Sequence, residues 1–405
     1  MKIDKPAIAG GEPVRREPLR FGVPLVEQEA IDGVVQVLKS GWISTGPKAQ
    51  ELEERFKAYV GSRNAIALNS CTAGMESSLL AAGVGHNGMG RPEDEVITTP
   101  MTFAATANVI VHCGAVPVFA DIKRDTLNID PSDIERRITP RTRAILPVHY
   151  AGQPCEMDEI LDIAKRHGLF LIEDAAHATG AEYHGRKIGS IGDATVFSFH
   201  VHKNLTTVEG GMVTTDNDKW AKNMRIMRLH GMSKDAWERV SGSQMHYEVV
   251  SPGYKYNLPD ALAVMGLVHL SKLESYIQTR QRYTRIYDEA FRQIPEIILP
   301  QRIDGIRHAE NMYMIMLKLE SLKIDRDEFV RCLQAENIFC SIHYRALHLH
   351  PYYSKTFGYK RGDYPNAEYV SDRVLTLPFS PVLTEDDVRD VIAAVERIVS
   401  YYSKG

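Results

Sequence analysis

Three short segments carry side chains able to do chemistry. "SFHVHKNLTTVEGG" runs from Ser198 to Gly211 and packs His200, His202 and Lys203 into four residues. "LFLIEDAAH" (169–177) ends an apolar run in Glu173 and Asp174, with His177 three residues later. "NSCTAGM" (69–75) is rich in small and hydroxyl residues. Each segment has a chemical reading and an ordinary one. Small residues at a helix start leave backbone N–H groups free for an anion, yet the same cluster serves as a plain N-cap. A carboxylate at the end of a buried strand can hold a proton on a ring nitrogen, bind a metal or cap the next helix. A lysine just past such a strand is desolvated, which lowers its pKa and frees the amine for Schiff-base chemistry. Lysines in general snorkel at the surface instead. His200-x-His202 has no complementary Cys or His spacing elsewhere, so no metal pair is indicated.

Together the three segments converge. A phosphate cradle, a carboxylate for a ring nitrogen and a Schiff-base lysine are what a protein must supply to use pyridoxal 5'-phosphate (PLP). Between Asp174 and Lys203 there is room for one turn, "YHGRKIG", and one strand.

The elements that must position these residues are legible as apolar runs. "NAIAL" (64–68), "EVITT", "VPVFADI", "AILPVHY", "LFLIEDA", "ATVFSFH" and "GGMVTTD" read as strands. Several are apolar at consecutive positions, as strands buried on both faces are. "MESSLLAAGV", "FAATANVIVHCG" and "MDEILDIAKRHG" read as the helices between them. This alternation predicts an α/β domain with a mostly parallel sheet. A long helical stretch follows "SPGYKYNLPDALAV". After Pro300 come a strand candidate, "MYMIMLKL", and two helices, "DRDEFVRCLQAENIF" and "EDDVRDVIAAVERIVSYY". We expect an N-terminal arm and helix over 1–40, a large α/β domain over 41–279 and a small α+β domain over 280–405. The arm is expected to pack on another subunit, and the polar stretch 233–250 to form a loop over the active site. Composition excludes other classes. With 405 residues, 44% hydrophobic, 25% charged and a net charge of -4, the chain has no basic field for nucleic acid. It has no apolar run of membrane length and no apolar leader. Five scattered cysteines give neither a disulfide framework nor a zinc site. A reducing cytoplasm is the expected location.

The order of these motifs resembles the DegT/StrS family of nucleotide-sugar aminotransferases, PLP enzymes of fold type I. The resemblance covers nearly the whole chain. It is carried by "SGWISTGPKAQELEERFKAYVG", by "IEDAAHATGAEYHGRKIGSIGDATVFSFHVHKNLTTVEGGMVTT", by "PGYKYNLPDALAVMGLVHLSKLE" and by "IHYRALHLHPYY". It implies a large domain with a seven-stranded, mostly parallel sheet. It also implies Lys203 as Schiff-base lysine and proton carrier, Asp174 on the pyridine nitrogen, and His177 near the phenolic oxygen. Phe103 would stack on the ring, while Ser198 and the backbone of Thr72 and Ala73 would hold the phosphate. Asn257 would complete the phosphate site from a second subunit, making the active unit a homodimer. His343, Tyr344, His348 and His350 would line the substrate mouth. The implied reaction moves an amino group from an L-amino acid, with glutamate favoured over glutamine, to a keto group of a nucleotide-linked sugar, with a 4-keto sugar favoured. Alternatives are a cyclitol ketone or simpler amine, a sugar dehydratase, or a regulator on the same fold. A dehydratase branch carries histidine at the lysine position, and the register of "KNLTT" puts Lys203 there. Two departures border the substrate loop. Val208 stands where many relatives have glycine, and the proline often found after "SFH" is absent.

Overall fold

The computed structural model describes residues 5–233 and 246–404. In chain order the strands are β1 (Asn64–Leu68), β2 (Glu95–Thr98), β3 (Val116–Phe119), β4 (Thr142–Leu146), β5 (Phe170–Asp174), β6 (Glu182–Tyr183), β7 (Arg186–Lys187), β8 (Ala194–Ser198), β9 (Gly211–Thr215), β10 (Ile297–Ile298), β11 (Ile306–Arg307), β12 (Tyr313–Leu317) and β13 (Val374–Leu377). Seven of them form the main sheet, in the order β1-β9-β8-β5-β4-β2-β3. The pairings from β8 through β5, β4 and β2 to β3 are parallel. Only β9 runs against its neighbours, β1 and β8. The expected mostly parallel, seven-stranded sheet is therefore present.

Alternation along each strand assigns its side chains to two different cores. Ile66, Leu68 and Val196 face one side, packed with Met75 and Leu79 of helix Cys71–Ala81 and with Val109 and Ile110 of helix Ala104–His112. Ala65, Ala67 and Phe197 face the other, against Leu52 and Phe56 of helix Pro47–Val60 and Ile160 of helix Met157–His167. This two-sided burial is why these strands are apolar at consecutive positions.

Helix Asp260–Phe291 is continuous for 32 residues. Its Leu273 and Ile277 belong to the core under the main sheet, and its Tyr283, Tyr287 and Phe291 belong to a separate core. That second core lies on the antiparallel sheet β10-β12-β13 with helices Arg326–Ala335 and Glu385–Tyr402. The helix thus changes core between residues 277 and 283 without breaking.

The N-terminal segment packs on its own chain over residues 7–19. Buried Glu336 accepts hydrogen bonds from the N–H groups of Ala7 and Val14, each at 2.8 Å. Arg15 pairs with Asp387 and Asp390, and Leu19 bridges Ile338. A buried carboxylate needs donors, and this segment supplies them. Of the stretch expected to cover the site, residues 234–245 lie outside the described residues.

Asp260 ties the long helix to the start of helix Pro47–Val60. Its carboxylate accepts from the N–H groups of Gly46 (2.8 Å), Lys48 (3.0 Å) and Ala49 (2.9 Å). It is therefore an N-cap supplied from more than 200 residues away. We predict that Asp260→Ala lowers unfolding free energy by about 2–4 kcal/mol, since a cap is lost and buried donors are orphaned; denaturant melts measure this. Val208 has φ of +70°, a left-handed backbone that costs a β-branched residue. Glycine carries no such cost at this position. Val208→Gly should raise stability by about 0.5–1 kcal/mol, the relief of strain less glycine's entropy; an unchanged or lowered melting midpoint refutes it.

Candidate active site

Because the strands flanking β5 run parallel, their carboxyl ends share one edge, where ligand sites of open α/β sheets form. A cavity of about 490 Å³ opens there. Its wall takes Asp174 from the end of β5, Ser198 from the end of β8, Ser70 from the turn after β1, and Cys71 and Thr72 from the start of helix Cys71–Ala81. Lys203 enters from the turn between β8 and β9. The ends of that turn are fixed, since Ser198 pairs with Gly211 across the sheet and Phe199 N–H donates to Gly210 O.

The two acids at the end of β5 have opposite fates, as strand alternation requires. Glu173 points away from the cavity, bonded to His149 Nε2 (2.9 Å), Thr195 Oγ1 (2.7 Å) and Gly192 N–H (2.8 Å). Asp174 points into it. Asp174 Oδ2 accepts from Thr106 Oγ1 at 2.8 Å, and Oδ1 accepts from Ala176 N–H at 3.0 Å. Burial pushes its carboxyl pKa up, while these donors and the charge of Lys203 oppose that rise.

Lys203 is partly buried on the cavity wall. Desolvation lowers its ammonium to about 8, and Cys71 and Asp174 act the other way. The amine is therefore available as a free base near neutral pH far more than a surface lysine's. The next residue, Asn204, holds this turn in place. Its side-chain amide donates to Ala309 O (2.6 Å) and Thr179 O (3.3 Å).

His177 is buried, and burial holds its pKa well below the usual histidine range, so the ring is neutral. Its Nε2 shares a hydrogen bond with Tyr344 OH at 3.3 Å, and the two rings are nearly parallel at 12°. Its Nδ1 is buried with no hydrogen-bond partner among the described residues. Phe103, by contrast, is 63% exposed for a large apolar ring, and it borders the cavity 6.3 Å from the Tyr344 ring.

The phosphate-side residues divide. Ser70 is the N-cap of helix Cys71–Ala81, and its hydroxyl accepts from Ala73 N–H at 3.0 Å. Thr72 and Ser198 line the cavity; Ala73 lies behind them. Asn257 stands apart from the cavity. Its amide donates to Thr45 Oγ1 at 2.6 Å, in a seam where Thr45 Oγ1 also donates to Leu258 O. Of the four residues expected at the substrate mouth, His343 and Tyr344 line the cavity. His348 is instead buried against Glu368 at 3.0 Å, and His350 bonds Arg345 O, both away from the lining. They sit in the 3-10 turn and helix cap that follow Tyr344, which carry them past the opening.

Sequence reading missed Thr106, Cys71 and Phe21 as parts of the wall. Phe21 comes from the N-terminal segment and lies 5.6 Å from the His343 ring. Thr106 carried a usable signal, standing one helical turn after Phe103.

A phosphorylated heteroaromatic ring fits these residues. The neutral His177 offers an unused nitrogen, Asp174 is an acceptor at the wall, Phe103 offers an uncovered ring face, and a helix N-terminus with hydroxyls stands across from them.

Comparison with known proteins agrees. SpsC of Bacillus subtilis (strain 168), a spore coat polysaccharide biosynthesis protein, is 49% identical over 387 residues, spanning 95% of this chain and 98% of its own. Spr1654 from Streptococcus pneumoniae in its PMP-form superposes with a TM-score of 0.88 at 33% identity, over 95% of this chain and 99% of that one. Its PLP-form matches at 0.87. DesI, solved in the presence of its TDP-sugar product, matches at 0.86 and 32% identity over 98% and 97% of the two chains. The fold is that of fold-type-I PLP enzymes, and PLP and its PMP form are the cofactor states. The model of the DegT/DnrJ/EryC1/StrS aminotransferase family matches residues 24–396, so the chain belongs to that family of PLP-dependent aminotransferases acting in sugar transamination.

Proposed function

We propose that the protein transfers an amino group from glutamate to the 4-keto group of a nucleotide-linked sugar. The observation that carries this reading is Lys203, an amine with its pKa lowered to about 8 on the wall of the cavity that Asp174 also enters. The nucleotide-linked acceptor is supported by the likeness to DesI, crystallised with a TDP-sugar product, and the biosynthetic setting by SpsC. Bound PLP supplies the electron sink that makes loss of an α-proton feasible.

The chain's own groups then have separate tasks. Lys203 would hold the cofactor through its amine and would serve as the general base that takes and returns the proton. Asp174 would keep a proton on the pyridine nitrogen. Phe103 would stack on the ring. His177 would lie by the phenolic oxygen. Ser198 and the backbone of Thr72 and Ala73 would hold the phosphate. Tyr344 and His343 border the side on which substrate enters.

The active unit in this reading is a homodimer. Asn257 of the partner subunit would complete the phosphate site, consistent with its place outside its own chain's cavity. Helix Gln28–Ser40 also presents Ile31, Val35 and Leu38 at 45%, 38% and 51% exposure along one face, a surface suited to a second copy. A large PLP-binding domain over 41–279 and a small domain over 280–405 are part of the same proposal, as is a cytoplasmic location. No helix among the described residues is long and apolar enough to cross a membrane.

Purified protein should show a visible cofactor band that glutamate shifts, and a panel of nucleotide-linked keto-sugars should restore it. A cyclitol ketone that restores the band while no nucleotide sugar does would overturn the acceptor assignment. Lys203→Ala should lose at least about a thousandfold in turnover; retention of full activity would falsify the role of Lys203. In cofactor-free protein, acylation of Lys203 by an amine-selective reagent should rise with pH to half its maximum near pH 8, because only the free base reacts. A midpoint near that of surface lysines contradicts the desolvated site.

A further inference from the structure

Behind the Asp174 carboxylate stands a short chain of hydroxyl groups. Thr106 Oγ1 lies 2.8 Å from Asp174 Oδ2 and 2.8 Å from Thr102 Oγ1. All three residues are buried, at 0%, 3% and 2% exposure for Thr106, Asp174 and Thr102. A hydroxyl has one proton to give. When Thr106 donates it to the carboxylate, the Thr102 hydroxyl must donate to Thr106. The chain therefore has one direction, from Thr102 through Thr106 to Asp174. The other carboxylate oxygen accepts from Ala176 N–H. Both protein contacts of Asp174 are donors, and donors favour the ionised acid.

That preference has a task here. Burial alone drives Asp174 towards its neutral form. The groups facing it are Lys203 and His149, which favour its charge, and Cys71, Cys155 and Tyr344, whose own acidities its charge suppresses. A neutral Asp174 could not hold a proton on a ring nitrogen as an ion pair.

Thr106 also belongs to the first turn of helix Ala104–His112, whose N-cap is Phe103. Residues three apart in a helix share a face. One turn of helix thus carries both the exposed aromatic ring and the donor to the acid.

We propose that Thr106 is a positioning residue that keeps Asp174 ionised and aimed at the cofactor's ring nitrogen, with Thr102 fixing the direction of the Thr106 hydroxyl. This rests on the role given to Asp174 above. The test uses Thr106→Val, which keeps the shape and removes the donor, with Thr106→Ser, Thr102→Val and Asp174→Asn. Two readouts apart from turnover are the pH titration of the bound cofactor's visible absorbance and the affinity of the cofactor-free protein for PLP. Thr106→Val should move the titration midpoint by about half a pH unit or more and weaken PLP binding several-fold. Thr106→Ser should stay within about twofold of the parent affinity, since it restores the donor. Thr102→Val should shift both readouts in the same direction as Thr106→Val, by less. The proposal is overturned if Thr106→Val behaves as the parent, if Ser and Val variants fall together, or if Thr102→Val has no effect. Should Thr106→Val not fold, the Ser and Thr102 variants still decide it. Parent-like readouts for Asp174→Asn would instead sink the role of Asp174, a separate failure.

Discussion

An acid placed where water is excluded must be held by donors or it takes up a proton, and the active-site end of this molecule is arranged around that constraint. Asp174 ends a strand buried on both faces. Its position needs parallel neighbours, β4 and β8, to complete the sheet around it. Its charge needs donors from outside the strand, which come from Ala176 and from helix Ala104–His112. Lys203, in turn, owes part of its lowered pKa to the same dense packing. In a wetter site neither group would differ much from its counterpart at the surface.

The one antiparallel strand of the main sheet has its own consequence for the lysine. Because β9 runs back along β8, the residues between Ser198 and Gly211 form a closed loop whose two ends are in register. Lys203 is carried near the middle of that loop, tied by Asn204 to the strap at Ala309. Arg280 holds the same strap from the long helix, donating to the carbonyl oxygens of Glu310, Asn311 and Phe379. Asn311 and Phe379 are themselves part of the cavity wall. The amine is thus held to a loop, but to one braced by the sheet and by the second core.

Much of this was legible in the chain before any coordinates. Runs such as "NAIAL" and "ATVFS" announce strands buried on both faces, and their ends mark the reactive edge. Lys203, Asp174, His177, Ser198, Thr72 and Phe103 do share a single cavity. Cys71 and Phe21 matter through contacts between elements distant in sequence, and local pattern carries no record of these; Thr106 is signalled only by its spacing from Phe103. His348 and His350 follow Tyr344 closely, yet a tight turn rotates them out of the wall. Glu173 and Asp174 are ranked only by the family resemblance, since spacing alone does not tell which of two adjacent acids faces the cavity. The contacts of the N-terminal segment with its own chain leave no local trace, because its partner, the buried Glu336, lies over 300 residues away.

That last contact bears on how the site comes into being. A chain emerges from the ribosome beginning at its N-terminus, so Phe21 is made long before the residues it leans on. Ile338, which bridges the neighbouring Leu19, and His343, against which Phe21 rests, follow only after every strand of the main sheet. The main sheet and its lysine can assemble earlier, with one side of the pocket still missing. The enclosure is completed only when two segments far apart along the chain, those of Phe21 and His343, have come together.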